Sequence, residues 1–321
     1  MELLEDHPMM LRSPYLRRKP AIFKTMTGLT VALCEDLVWD LRPTLAQTRY
    51  AAQDRPGRQR AVGGGRHGRL PAREKILLTV IWLRHYFTQE ALGYFCGVSD
   101  STAKRAIERV LPVLERMGRD TMRQPPPSRR QRYGVAEALH AYPELADLDD
   151  ETRVVDSFEQ RVQRPRDHRE ADRHYSGKKK AHTVKTQVVV TLGNGDVRGV
   201  TPGVPGPVAD PTLLRQSGVL GRGTPDDPLR GDQAYRAVDN VVTPRRKPRG
   251  KERPPEDVAF NRAFARARII AEHSIRDLRQ FQALTLPDRH RRRGQEPRVC
   301  AVVELRARRC RPGRRDRRLA A

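Results

Sequence analysis

Near residue 151 the hydrophobic pattern of this chain changes period, and that change limits its architecture more than any single motif. Upstream, apolar residues recur at helical spacing. Downstream they gather into short Val- and Thr-rich runs separated by turn residues. Such a chain is expected to fold as an all-α segment followed by an α/β domain. The expected parts are an N-terminal helical segment and basic linker (1–69), a helix-turn-helix (70–118), a linker (119–150), an α/β domain (151–286) and a basic tail (287–321).

In the first half, Leu29, Leu33, Leu37 and Leu41 lie four apart, which predicts a helix over 28–41 stopped by Pro43. Residues 51–69 place arginines around Gly63-Gly64-Gly65, a basic linker. Pro71 opens a helix from Ala72 to Phe87. Thr88 caps Gln89 to Phe95, Cys96-Gly97-Val98 turns the chain, and Ser99 caps Asp100 to about Leu111, near Pro112. A glycine-containing turn between such helices is the layout of a helix-turn-helix. Ala91, Leu92, Phe95, Val98, Ala103, Ile107 and Leu111 suit its core. Ser101, Thr102, Lys104, Arg105 and Glu108 fall on the outer face of the last helix, where side chains reach base edges and phosphates.

In the second half, Arg153-Val154-Val155-Asp156 reads as a buried strand ending in an acid. His182 to Thr191 and Val197 to Thr201 form a hairpin about Leu192-Gly193-Asn194-Gly195. Leu229 to Asp232 and Asn240 to Thr243 are short strands. A helix over about 255–284 carries the stripe Phe260, Phe264, Ala267, Ala271, Leu278 and Phe281. The tail from Leu286 has 13 Arg against 4 acids, so it reads as a basic arm or a poorly ordered end.

Three acids stand out against this layout: Asp156 and Asp232 at strand ends, and Glu272 beside the apolar stripe of the long helix. Each taken alone has an ordinary reading, as a turn former or as part of an i,i+4 ladder with Arg268 and Arg276. Taken together, on two strands and a helix, they can hold two Mg²⁺ or Mn²⁺ ions through hard oxygen ligands, and such a pair cuts and rejoins phosphodiesters. An acid-bearing strand, a three-stranded element, an acid-ended strand and an acid-bearing helix are also the order of parts in a ribonuclease H-like mixed sheet flanked by helices. Arg268, Arg276 and Arg279 share the Glu272 side and are candidate phosphate contacts. Lys178, Lys179, Lys180 and Lys185 are candidates at the mouth of the second strand. Asp210 reads first as a helix N-cap, with a supporting place near the metals as the alternative; Tyr235 is a further supporting candidate. His182 and His273 lack a partner at zinc-ligand spacing and read as ordinary histidines.

Composition agrees with a nucleic-acid partner. The formal net charge is +24, which favours a polyanion. Of the 63 basic residues 53 are arginine, a skew that base composition alone can produce, so the charge supports the reading without carrying it. Cys34, Cys96, Cys300 and Cys310 form no C-x-x-C pair, which argues against a zinc site or a disulfide framework and fits a reducing compartment. The longest apolar run, Ile76 to Leu83, is too short to span a bilayer, and the N-terminus lacks the pattern of a signal peptide. The expected location is the cytoplasm, with the nucleoid. No membrane or small-molecule substrate is expected.

Val154-Val155-Asp156-Ser157-Phe158-Glu159-Gln160, Tyr175-Ser176-Gly177-Lys178-Lys179-Lys180-Ala181-His182-Thr183-Val184-Lys185-Thr186, Gly231-Asp232-Gln233-Ala234-Tyr235-Arg236 and the helix from Asn261 to Arg279 resemble, in order, blocks of bacterial insertion-sequence transposases of the DDE superfamily, insertion sequence 5 type. The resemblance covers roughly residues 25 to 305. It implies Asp156, Asp232 and Glu272 as metal ligands. It also implies DNA as substrate: binding of terminal inverted repeats, cleavage at the element ends, and transfer of the 3′-hydroxyl to target DNA, with a homodimer joining two ends. Ser157-Phe158 stands where that family more usually has Gly-Thr, Ala234 and Ala237 replace glycines, Ala265 replaces a tyrosine of a related signature, and Arg279 replaces a lysine. A DNA-holding protein without cleavage and a nuclease without strand transfer are the alternatives.

Overall fold

The computed structural model describes residues 10–54, 57, 59, 70–124, 151–218, 228–289 and 295–310. The glycine-rich part of the first linker, most of the second linker and the last eleven residues fall outside them. The chain divides into two compact units, one of residues 1–121, 281–283 and 300–321, the other of residues 122–280 and 284–299.

The first unit is helical: α1 (Ser13–Leu16), α2 (Pro20–Thr27), α3 (Val31–Gln53), α4 (Ala72–His85), α5 (Gln89–Cys96) and α6 (Asp100–Arg123). Ile76 to Leu83 are buried along α4, so this apolar run is the axis on which the other helices pack. The expected caps are present. Thr88 Oγ1 accepts from the Ala91 amide, Ser99 Oγ accepts from the Thr102 amide, and Gly97 closes α5 in the left-handed region at φ +61°.

Both proline stops fail. α3 runs through Pro43 to Gln53, and α6 runs through Pro112 to Arg123. Each proline is exposed, so its ring and its missing amide face solvent rather than the core. Within the helix-turn-helix, Leu92, Ala103 and Ile107 are buried, whereas Ala91, Phe95, Val98 and Leu111 are half-buried.

The second unit holds a mixed sheet of seven strands among the described residues: β1 (Arg153–Arg161), β2 (Tyr175–Ser176), β3 (Ala181–Thr191), β4 (Val197–Val200), β5 (Val204–Pro205), β6 (Leu229–Arg230) and β7 (Val241–Val242). β1 lies between antiparallel β3 and parallel β6, and β7 continues parallel to β6. The opposite edge of β3 pairs in turn with β2, β5 and β4. Helices α7 (His168–His174), α8 (Asp210–Gln216) and α9 (Pro255–Arg279) flank the sheet. Val155 and Val189 pack with Leu214, Leu229, Tyr235 and Val238. On α9, Phe260, Phe264, Ala271 and Leu278 are buried, as the stripe predicts.

The tail is a correction to the sequence reading. Gln295–Cys310 forms α10, with Val299, Cys300, Ala301, Val302, Val303 and Leu305 at most 2% exposed. Its arginines were what made it look like an arm. Two of them are buried against carboxylates: Arg308 with Glu304 and Asp40, both at 2.7 Å, and Arg298 with Asp288 at 2.9 Å. Thr121 also donates to Glu304. Gly118 lies so close to the Cys300 carbonyl that a Cβ there would collide with backbone.

Candidate active site

The register Val154↔Arg230 of the parallel pair β1/β6 carries Asp156 alongside Asp232, the second residue past the end of β6. α9 packs against β1 and β3 and brings Glu272 and Arg268 to the same region. A cavity of about 660 Å³ opens there, lined by Asp156, Glu159, Asp210 and Glu272 among acids and by Lys178, Lys179, Lys185, Arg276 and Arg279 among bases. Acids and cations in one pocket suit a phosphate held beside metal-binding oxygens.

Burial pushes the Asp156 carboxyl above its usual range. The Ser157 amide, which donates to Asp156 Oδ1 at 2.8 Å, and Arg268, with Nη2 at 3.8 Å from Oδ2, pull it back down. The charges of Asp232 and Glu272 both push it up, so the three expected ligands lie within electrostatic reach of one another. Among the described residues, no three His, Cys, Asp or Glu side chains stand close enough to cage a metal ion by themselves. Asp232 is turned to cap the 3₁₀ turn Gln233–Ala237, accepting from the Ala234 amide at 2.9 Å, and it does not line the cavity. The structure therefore brings Asp156 and Glu272 into one pocket and Asp232 beside it. The donor chemistry fits a divalent cation: hard carboxylate oxygens that repel one another until a positive charge lies between them.

The other expected residues fall into two groups. Lys178, Lys179, Lys180, Arg276 and Arg279 are exposed. Lys185 and Arg268 point inward. Lys185 is buried, with Nζ 2.7 Å from the Val208 carbonyl oxygen and 3.3 Å from Asp210; Arg268 is half-buried beside Asp156. Asp210 begins α8 but makes no side-chain cap of that helix. It accepts from the Ser157 hydroxyl at 2.7 Å. Tyr235 is buried, accepts from Gln187 Nε2 at 2.8 Å, and has its phenol pushed up by burial and then by Asp210.

Ser157, Glu159 and Gln187 are site residues that sequence reasoning missed. Ser157 ties Asp156 to Asp210, Glu159 accepts from Thr183 at the pocket wall, and Gln187 links Tyr235 to the α8 end. A carboxylate three residues past Asp156 on a strand gives no periodic signal, because simple alternation predicts opposite faces for the two, yet both line the cavity. The alanines in place of glycines near Tyr235 cause no strain. Among the described residues, positive φ at non-glycine positions occurs at Tyr86, Lys180 and Asn240, and not at Ala234 or Ala237.

In the helical unit, Lys104, Arg105 and Glu108 are exposed on α6, with a Lys104–Glu108 pair at 3.9 Å. Ser101 and Thr102 are half-buried, their hydroxyls turned to Ser99 Oγ at 3.1 and 2.9 Å. No helix of the described residues is long and apolar enough to cross a membrane.

Comparison with known proteins gives two family matches. Residues 155–304 match the DDE superfamily endonuclease, and residues 68–120 match the helix-turn-helix of DDE superfamily endonuclease. The chain is 26% identical over 245 residues to a protein of Microchaete diplosiphon described as the probable transposase for insertion sequence element IS702. That alignment covers 74% of this chain and 82% of the relative. No solved structure matches.

Proposed function

This chain belongs to the DDE-superfamily insertion-sequence transposases, and from that premise we propose that it binds the terminal inverted repeats of its element, cleaves at their ends and joins the freed 3′-hydroxyl to target DNA. The observation that carries the reading is the cavity in which Asp156 and Glu272 meet Lys178, Lys179, Arg276 and Arg279. Asp156, Asp232 and Glu272 are the proposed ligands of two Mg²⁺ or Mn²⁺ ions, which when bound supply an activated water or 3′-hydroxyl and stabilise the leaving oxygen.

The chain's own residues do the rest. Lys178, Lys179, Arg276 and Arg279 neutralise the backbone phosphates on either side of the scissile one. The Ser157 amide fixes one oxygen of Asp156, and the other lies 3.8 Å from Arg268 Nη2. Asp210, held by Ser157 and Lys185 in the cavity wall, and the buried Tyr235, held by Gln187, support the site. Lys104 and Arg105, with Ser101 and Thr102 once released from Ser99, are the proposed contacts of the helix-turn-helix to DNA. Two ends must be joined, so a homodimer in the DNA complex is part of the proposal, as is residence with the DNA in the cytoplasm.

The test incubates the protein with a duplex ending in the inverted repeat that flanks its gene, with Mg²⁺ or Mn²⁺ and with EDTA. Metal-dependent nicking and joined products are expected, with both lost in Asp156→Asn while duplex binding persists. Binding without nicking would leave a DNA-holding protein, nicking without joining a nuclease, and full activity of the Asp156 variant would overturn the assignment of the site.

A further inference from the structure

One aromatic pair of the second unit, Tyr175 and His182, has no part in the chemistry above. β2 and the start of β3 form a hairpin in which Tyr175 lies directly opposite His182. Residues directly opposite in an antiparallel pair share a face. The two rings meet edge to face, centroids 5.6 Å apart, and Tyr175 is 49% exposed. An edge-to-face partner stiffens an exposed ring while leaving ring surface open to a third one.

The turn that joins these strands is Gly177-Lys178-Lys179-Lys180, with all three lysines exposed. It is a folded turn, not a loose loop. The Lys179 amide donates to the Ser176 carbonyl oxygen and hydroxyl, and Lys180 adopts φ +47°. Lys178 and Lys179 also line the cavity that holds Asp156 and Glu272. The hairpin therefore presents a stiffened aromatic face and a triple positive charge, the latter continuous with the active-site pocket.

The position along the strand is informative. Asp156 is paired with Val188, and even-numbered residues of β3 share that face back to His182. Six residues at a rise of ~3.3 Å put the ring pair about 20 Å along the sheet from the Asp156 row. A polyanion lying across the lysines from the pocket reaches the rings a few nucleotides from the scissile phosphate.

Charge beside an exposed aromatic ring is how proteins hold unpaired nucleic acid, with phosphates on the cations and a base on the ring. A duplex buries its base faces in its own stack and offers such a ring nothing but its end. We infer that Tyr175, backed by His182, is a stacking platform for an unpaired base of the DNA strand that leaves the active-site pocket. The inference rests on the reading that this unit handles DNA, but it concerns binding alone and needs no metal.

The experiment uses the full chain in EDTA, with a fluorescent 20-nucleotide mixed-sequence single strand and the same sequence as a duplex. Affinities are measured by anisotropy across a salt series. Tyr175→Ala is expected to weaken single-strand binding about tenfold, the scale of one lost stack, with duplex binding and the salt slope unchanged. Tyr175→Phe, which keeps the ring, is expected to bind as the parent does. Lys179→Ala is expected to behave oppositely, lowering the single-strand salt slope by ~0.7. A 2-aminopurine placed along the strand should be quenched by the parent and not by Tyr175→Ala. Equal loss on both DNAs, no loss at all, or failure of Phe to rescue overturns the platform. Tyr175 is half-exposed, and thermal melts of the variants check that each is folded. Because Asp156→Asn is judged by cleavage and Tyr175→Ala by metal-free binding, either idea can fail while the other stands.

Discussion

Ser157 joins two carboxylates with its two hydrogen-bond donors: its amide to Asp156 and its hydroxyl to Asp210. A hydroxyl at this position was visible in the sequence only as a departure from the family's Gly-Thr. Its use became visible when β1 and α8 were brought together. Ser157→Ala keeps the amide bond and deletes the other, leaving that Asp210 oxygen with Lys185 alone. A hydrogen bond to a charged group contributes ~1.5–3 kcal/mol, so strand cleavage is expected to slow by roughly tenfold or more, with DNA affinity unchanged. Equal cleavage rates for variant and parent would remove Asp210 from the supporting network. The thiols give a second prediction at this scale. Burial pushes Cys34 up to about 12 and Cys96 up to about 11, from an ordinary 9.0. A raised folded-state pKa stabilises fully below the unfolded value and is lost as pH rises through the folded one. Urea unfolding should therefore give constant stability contributions from these thiols below about pH 9, then a decline toward pH 11. A Cys34→Ala/Cys96→Ala variant should show a shallower decline. Native-state alkylation near pH 8 should spare both, because burial keeps them as thiols.

The helices divide into those whose ends are written locally and those whose ends are decided by packing. Thr88, Ser99 and Gly97 act through hydrogen bonds and φ angles a few residues away, so they were legible. Pro43 and Pro112 were not legible as interior residues, because their effect depends on which side of the helix faces solvent. Tertiary contacts on the buried sides, Leu37, Val38 and Leu41 on α3 and Val110, Val113 and Leu114 on α6, carry each helix across its proline. Interior proline costs up to ~3 kcal/mol relative to alanine. Pro43→Ala and Pro112→Ala should each raise the thermal midpoint, and a lower midpoint in either would mean that the proline itself is needed there. α10 was the largest miss. A run of arginines looks solvated until its carboxylate partners, Asp288, Glu304 and Asp40, are known, and Asp40 lies some 270 residues away in sequence. Arg298 and Asp288 are 1% and 2% exposed. Removing one member of such a pair leaves the other buried without a counter-charge, so Arg298→Ala should destabilise by ~3–5 kcal/mol in chemical unfolding. A cost below ~1 kcal/mol would mean that water enters and solvates Asp288.

At the scale of the whole molecule, the change of period and the elements that carry Asp156, Asp232 and Glu272 were legible because they depend on local pattern, but the strand end expected at Asp156 was not there, since β1 runs on to Arg161 through its pairing with β3. The pocket was not legible, since it needs β1, the lysine turn and α9 in one place and recruits Glu159, which no spacing rule connects to Asp156. Net charge is the one whole-chain property that sequence reports without a fold, and it makes a quantitative claim. A chain at +24 that neutralises six to ten phosphates should lose ~10³–10⁵ in duplex affinity between 50 and 200 mM salt. Not every cation should count equally. Arg298 and Arg308 are held by buried carboxylates, and Lys185 by Asp210 and a carbonyl, so they are already compensated inside the protein. Lys178, Arg276 and Arg279 are exposed at the pocket, and Lys104 and Arg105 are exposed on α6. Replacing any one of these five by alanine should lower the slope of log affinity against log salt by about 0.9 where it meets a duplex phosphate. Arg308→Met should leave the slope alone and change only stability. If instead the slope followed the total number of arginines removed, wherever they lay, binding would be a diffuse response to charge and the assignment of these surfaces to DNA would be wrong.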